Sequence, residues 1–149
     1  MKRLLLFMLV ALGLSWATAF AGDRATPDEA KALAEKAAAY LKDNGFDKAC
    51  PVFHAKDGGF QDRDLYVTVQ DNKGNMACHG TTAALEGKSM LPLKDVDSKA
   101  FNVEIQAIKD TGWVEFKWIN PVSKQVEPKK TYQIRVGDYL VGVGAYVTQ

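Results

Sequence analysis

The chain has 149 residues, 25% of them charged, with 19 basic against 18 acidic residues and a formal net charge of +1. That balance excludes the basic stripe of a nucleic-acid binder, and the length suits one domain built on one core. Two cysteines allow one disulfide, provided the compartment is oxidising.

The N-terminus reads as an export signal. Lys2 and Arg3 precede an uncharged, Leu-rich stretch from Leu4 to Phe20, and Ala19-Phe20-Ala21 places small residues at the two positions a signal peptidase reads. Cleavage is expected before Gly22, with Ala17-Thr18-Ala19 as a second acceptable site. The stretch is short for a span of roughly 20 residues, and no Cys follows until Cys50, so a lipoprotein's acylated cysteine has no place to form. The expectation is a signal peptide over residues 1–21 and one domain over residues 22–149, periplasmic or secreted, with no membrane insertion after cleavage.

Thr26-Pro27-Asp28-Glu29 predicts a helix start: Thr26 caps, Pro27 suits the first helical position and Glu29 completes a capping box. Ala30, Leu33, Ala34, Ala37, Ala38 and Leu41 recur at the spacing of one buried stripe. Asn44-Gly45 stops the helix, with Gly45 able to take a left-handed cap. Residues 46 to 53 predict a further short helical turn, interrupted by Pro51. From Asp64 the period becomes two: Leu65, Val67 and Val69 alternate with Tyr66, Thr68 and Gln70, a strand. The Asp71 to Gly74 turn and residues 75–79 complete a hairpin. Residues 80–97 are loop-like, and Asp97 or Ser98 is placed to cap a helix through Phe101, Ile105 and Ile108. Three more strands follow, at 113–119, 130–136 and 139–147, punctuated by Asn120-Pro121 and Gly137-Asp138. The order implies an α+β fold: a five-stranded antiparallel sheet, the long helix on one face and the 80–110 segment over the other. A loop-rich cover leaves room for a pocket.

Several segments together resemble single Cache domains of the second type. They are Gly58-Gly59-Phe60, Asp62-Arg63-Asp64-Leu65-Tyr66-Val67, the Asp71 to Gly74 turn with His79-Gly80 after it, and Leu85-Glu86-Gly87-Lys88. The run from Gly112 to Trp118, Asn120-Pro121, Pro128-Lys129-Lys130-Thr131-Tyr132 and Val141 to Tyr146 complete the match. The resemblance spans Pro27 to Tyr146. It implies a PAS-like fold and extracellular sensing of small molecules, often short organic acids, without catalysis and without a cofactor. Such domains usually sit between membrane helices of a receptor. No second apolar segment follows here, so an unidentified membrane receptor or transporter is the expected partner.

On this resemblance Trp113, Lys130 and Tyr132 are candidates for the ligand pocket, with Tyr66, His79 and Tyr146 beside them. A cation among aromatic rings suits a small carboxylate, giving charge-assisted bonds to the acid and an apolar wall for its tail. Gly142 and Gly144 share a face with Tyr146 and admit two readings, a pocket floor or close packing of the Ala-rich helix. Cys78-His79 lacks the Cys-x-x-Cys-His of haem attachment, and strand neighbours point to opposite faces, which rules out a Cys-His nucleophile. His54 has no ligand spacing to His79, so no metal site is expected. A Cys50–Cys78 disulfide is expected, against two buried free thiols. The functional expectation is a secreted sensor-type module for an organic acid; the rival is an accessory protein that keeps the fold and acts through protein contacts.

Overall fold

The computed structural model describes residues 24–148, so the expected export signal lies outside the described residues. Helix α1, Pro27–Asn44, starts as its sequence dictates: the Thr26 hydroxyl accepts from the Glu29 N–H, and the Glu29 carboxylate accepts from the Thr26 N–H at 2.7 Å. Ala30, Ala34, Ala37, Ala38 and Leu41 are buried along one stripe. Gly45 ends it at φ 78°, ψ 164°, a region open essentially to glycine but extended rather than left-handed helical. Helix α2, Phe46–His54, runs unbroken through Pro51, where an interruption was expected. Proline removes one helical hydrogen bond, while burial of Ala49, Cys50 and Phe53 on the same short helix holds it in place.

Six strands form one antiparallel sheet: β1 (Gln61–Asp62), β2 (Leu65–Asp71), β3 (Met76–His79), β4 (Thr111–Ile119), β5 (Val126–Val136) and β6 (Tyr139–Tyr146). The path runs β2-β6-β5-β4, and β1 and β3 both pair with the outer edge of β2. The two-residue β1 was not expected, and β5 starts earlier than expected. Its early part includes Pro128, whose carbonyl accepts from the Val147 N–H at 2.9 Å just past the end of β6, so the missing N–H costs a bond only at the very end of that ladder. The third helix, α3, spans Phe101–Ala107 with Ala100 at its cap position. Neither Asp97 nor Ser98 caps it. Instead Asp95 takes the N–H groups of Asp97, Lys99 and Lys117 at 2.9, 2.9 and 3.0 Å, closing the preceding loop onto β4.

Period-two alternation divides the sheet. Leu65, Val67, Val69, Val141, Val143 and Ala145 pack under α1 in the main core. Tyr66, Thr68 and Gln70 on β2, with Gly142 and Gly144 on β6, face the other way, under the 80–107 segment. This is the PAS-like arrangement that the resemblance implies.

Cys50 on α2 and Cys78 on β3 form a disulfide, their Cα atoms 5.8 Å apart. It ties an edge strand to the helical layer across 28 residues of sequence. In the chain-entropy account a loop of this size stabilises by roughly 3–4 kcal/mol. Reduction, or Cys50→Ser with Cys78→Ser, is therefore expected to lower the urea midpoint, with a loss of unfolding free energy of that order. An unchanged midpoint would show that the crosslink constrains nothing.

Candidate functional site

A cavity of about 40 Å³ lies between the sheet and the covering segment. At ~10–15 Å³ for one water, it admits about three or four heavy atoms. Its floor is β2, β5 and β6, and its apolar walls include Met90, Phe101, Ile105, Phe116 and Trp118. Phe101 stacks on Phe116 with ring centroids 3.9 Å apart, which fastens α3 to β4.

Lys129 supplies the cation. It is 4% exposed, and its Nζ donates to the Tyr66 hydroxyl at 2.7 Å. The ammonium also sits 3.9 Å from the Tyr66 ring centre and 4.8 Å from that of Tyr146. Among the described residues it makes no ion pair. Tyr146 donates to the Ile119 carbonyl at 2.6 Å and lies 3.3 Å from the Tyr66 hydroxyl. Burial first, then the neighbouring Tyr66, pushes the Tyr146 phenol far up, so it keeps its proton. The hydrogen bonds therefore run one way, from Lys129 to Tyr66 to Tyr146 to Ile119.

The glycines resolve as floor. A Cβ on Gly144 would meet Thr131 Cγ2 at 2.3 Å and Lys129 Cε at 2.6 Å; one on Gly142 would meet the Gln133 amide nitrogen at 2.2 Å. Their bare backbone lets the Lys129 stem and the Gln133 amide lie flat along the sheet.

His79 completes the cationic end, stacked on Tyr66 at 4.9 Å. Its Nδ1 accepts from the backbone N–H groups of Thr82 at 3.0 Å and Thr81 at 3.4 Å. A neutral ring whose Nδ1 accepts carries its hydrogen on Nε2, so His79 is a donor there. Burial, and then the charge of Lys129, holds its pKa down at about 4. At the far end of the floor Gln70 Nε2 donates to Asn102 Oδ1 at 2.8 Å, and Gln106 Nε2 donates to Gln70 Oε1 at 3.0 Å. Asn102 Nδ2 is left buried without a partner, an unused donor on a residue that lines the cavity.

Of the sequence-expected site residues, Tyr66 and His79 line the cavity, and Tyr146 stands behind Tyr66. Trp113, Lys130 and Tyr132 are not brought there. Tyr132 packs into the α1 core, with Lys31 of α1 5.4 Å from its ring. Trp113 lies 4.8 Å from Tyr132, and Lys130 pairs with Glu115 at 3.1 Å. The faces are exchanged by one residue: on β5 it is Lys129, Thr131 and Gln133 that look into the cavity. Lys129, Gln133 and Asn102 were missed. A positive charge flanked by positions 129 and 130 was visible, but alternation alone does not say which of two adjacent lysines points inward.

A family model described as Single Cache domain 2 matches residues 16–149. Three solved structures share the fold. One is a methyl-accepting chemotaxis protein from Vibrio parahaemolyticus RIMD 2210633, with a TM-score of 0.68, 24% identity, and 80% of this chain and 86% of that one covered. A periplasmic sensor domain of a chemotaxis protein has a TM-score of 0.60 at 23% identity, covering 81% and 90%. A Cache chemosensory domain described for carboxylic acid recognition has a TM-score of 0.61 at 21% identity, covering 81% and 88%. No curated protein matches the chain.

The His79 environment has a signed consequence. Its pKa is about 4 folded against 6.5 unperturbed. As pH falls, the unfolded chain takes up this proton first, so the contribution is full above pH 6.5 and lost as pH falls through 6.5 to 4. Between about pH 7 and pH 5 the loss from this group is roughly 2 kcal/mol. Urea midpoints at the two pH values are expected to show it, and His79→Gln is expected to flatten the slope. An identical slope in the variant would remove His79 as its source.

Proposed function

The chain belongs to the Single Cache domain 2 family, and we propose that it is an extracytoplasmic, non-catalytic module that binds a short organic acid in the cavity beneath α3. The observation that carries this reading is Lys129. A lysine 4% exposed, hydrogen-bonded to one phenol and paired with no carboxylate among the described residues, is an expensive arrangement unless an anion completes it. One of its three N–H groups goes to Tyr66, which leaves two. The Nε2–H of His79 is a neutral donor at the same end. A carboxylate offers two oxygens for such donors, and charge-assisted bonds of this kind are short and strong.

The rest of the cavity sets the size and character of the ligand. Its volume of about 40 Å³ holds the four heavy atoms of a two-carbon acid as it stands, and an acid of three or four carbons, its tail against Phe116 and Trp118, requires the covering segment to move outward. A hydroxyl or carbonyl on that tail has the spare N–H of Asn102 to meet. The likeness to a Cache domain described for carboxylic acid recognition supports the same class. Ligand access is served by an open surface cleft that shares Tyr66 and Trp118 with the cavity. Among the described residues no helix is long and apolar enough to cross a membrane. The Lys2-Arg3 start and the Ala19-Phe20-Ala21 tripeptide support export with cleavage before Gly22. Sequencing the N-terminus of protein from the extracytoplasmic fraction is expected to begin at Gly22. An intact Met1 in the membrane pellet would show an anchor instead.

The binding test compares two adjacent lysines by calorimetry with acetate, propionate, lactate and pyruvate. At a ceiling of ~1.5 kcal/mol per heavy atom, a six-atom acid is limited to ~9 kcal/mol, near micromolar affinity. Lys129→Met keeps the volume, removes the buried charge and is expected to leave the fold intact. Losing its charge-assisted bond is worth ~1.5–3 kcal/mol, roughly a ten- to hundredfold loss of affinity. Lys130→Ala, on the opposite face, is expected to bind as the unaltered protein does. Equal affinity in Lys129→Met, or a loss confined to Lys130→Ala, would overturn the assignment.

A further inference from the structure

Cys50, His54, Cys78 and Glu86 converge beside the end of β3, across that strand from the acid-binding cavity. Their ligand atoms, two Sγ, Nε2 and a carboxylate oxygen, all lie within 4.8 Å of one another. Cys50 and His54 are four apart on α2, which puts both on one helical face. His54 Nε2 is 3.8 Å from Cys50 Sγ, 3.7 Å from Cys78 Sγ and 2.6 Å from Glu86 Oε1. We propose that the dithiol form of this protein binds one zinc-type divalent cation through Cys50, His54, Cys78 and Glu86, and that the Cys50–Cys78 disulfide is the alternative, metal-free state of the same site.

The geometry favours such an ion. A tetrahedral zinc with bonds of ~2.3 Å to sulfur and ~2.0–2.2 Å to nitrogen and oxygen spaces its ligand atoms about 3.4–3.8 Å apart. Both sulfur–nitrogen separations already match. The imidazole–carboxylate contact needs to open by less than about 1 Å, and the sulfurs need only part once their bond is cleaved. Two thiolates with an imidazole select zinc over magnesium or calcium, which prefer all-oxygen shells.

Supporting hydrogen bonds hold the ligands in place, as metal sites require. Glu86 Oε1 accepts from the His79 N–H at 2.8 Å, which orients the carboxylate. Gln61 Nε2 donates to the carbonyls of His54 at 2.9 Å and Gly80 at 2.8 Å, clamping the end of α2 to the end of β3. The cysteines are buried, but the His54 and Glu86 side chains are 36% and 25% exposed, and His54 lines a surface cleft. An ion therefore enters from the histidine side.

The two states exclude each other for a chemical reason. In the disulfide the sulfurs are bonded to one another and offer no thiolate, and His54 with Glu86 makes only a two-ligand fragment. Opening the bond takes two electrons and two protons; a phosphine reductant supplies the electrons and becomes the phosphine oxide, its oxygen coming from water. On binding, each thiol releases its proton to solvent, and the His54 ring proton moves to Nδ1 so that the Nε2 lone pair meets the metal.

The test uses residues 22–149, isolated both oxidised and phosphine-reduced, titrated with zinc against a chromophoric chelator and with cobalt as an optical probe. The reduced protein is expected to bind one zinc per chain and to give the thiolate-to-cobalt charge-transfer band of a tetrahedral site. The oxidised protein is expected to bind at least a hundredfold more weakly. His54→Ala and Glu86→Gln, which leave both cysteines in place, are each expected to weaken reduced-state binding at least tenfold. Far-UV circular dichroism follows the fold throughout; zinc restoring structure that reduction loosens also supports the site. Absence of stoichiometric zinc in the reduced protein, equal binding by the oxidised protein, or wild-type affinity in His54→Ala would each overturn the proposal.

Discussion

The arrangement of this molecule turns on one buried ammonium. Lys129 reaches the interior because Gly144 has no side chain to obstruct its stem, and it stays there because Tyr66 and Tyr146 present a hydroxyl and two ring faces to it. Those rings are held in turn. Tyr146 is anchored to the Ile119 carbonyl at the end of β4, and Tyr66 is stacked beneath His79. The charge of Lys129 helps to keep His79 neutral. A neutral imidazole with Nδ1 occupied by backbone N–H groups has one role left, donation from Nε2. The cation thus adds to burial in keeping its neighbour neutral, and it sets the charge of the cavity.

The two faces of the sheet ask for different chemistry, and the strands meet both demands by alternation. Beneath α1 the residues are aliphatic, and the helix that covers them is a row of alanines, so helix and sheet approach closely. Beneath α3 the floor is polar: Thr68, Gln70, Thr131 and Gln133 occupy the alternate positions. Buried amides are stable only when hydrogen-bonded; the bonds from Gln106 to Gln70 and from Gln70 to Asn102 occupy both amide oxygens, and the Asn102 Nδ2 amide is left without a partner. The cover is therefore fastened to the sheet by polar bonds at one end and by the Phe101–Phe116 stack beside them.

Much of this is written in local sequence, and its failures share a cause. The capping box at Thr26 and Glu29, the alanine stripe, the Asp71–Gly74 turn and the alternation of β2 are short-range signals, and each element forms where those signals stand. The cavity residues Tyr66 and His79 were legible through family resemblance. What was not legible is the phase of β5 relative to the core. The Lys129-Lys130 pair carries no local preference for either face, whereas Tyr132 and Trp113 are apolar enough to be claimed by whichever face is being packed. The α1 face takes them, and the cavity receives Lys129 by parity. Asn102 was hidden for a different reason: it sits on a helix of only seven residues, Phe101–Ala107, too short for its spacing to show which polar residue faces the cavity.

The same reasoning explains how the cluster of Cys50, His54, Cys78 and Glu86 stayed out of view. Pro51 suggested a break between Cys50 and His54, yet α2 continues through it and places the two on one face. Cys78 and Glu86 arrive from a strand and from the loop beyond it, a meeting that only the folded chain defines. β3 is the element where this cluster and the cavity touch. Cys78 looks toward the helical layer and His79 toward the cavity, and Glu86 joins them by contacting His54 with the oxygen that also accepts from the His79 backbone. The strand has only four residues; it pairs with β2 along one side, and on the other Met76 exchanges backbone bonds with Gly87 and Lys88, so Cys78 and His79 share a short backbone. A change at Cys78 and a change at His79 act on the same short backbone, and neither side of the sheet can be repositioned there without the other.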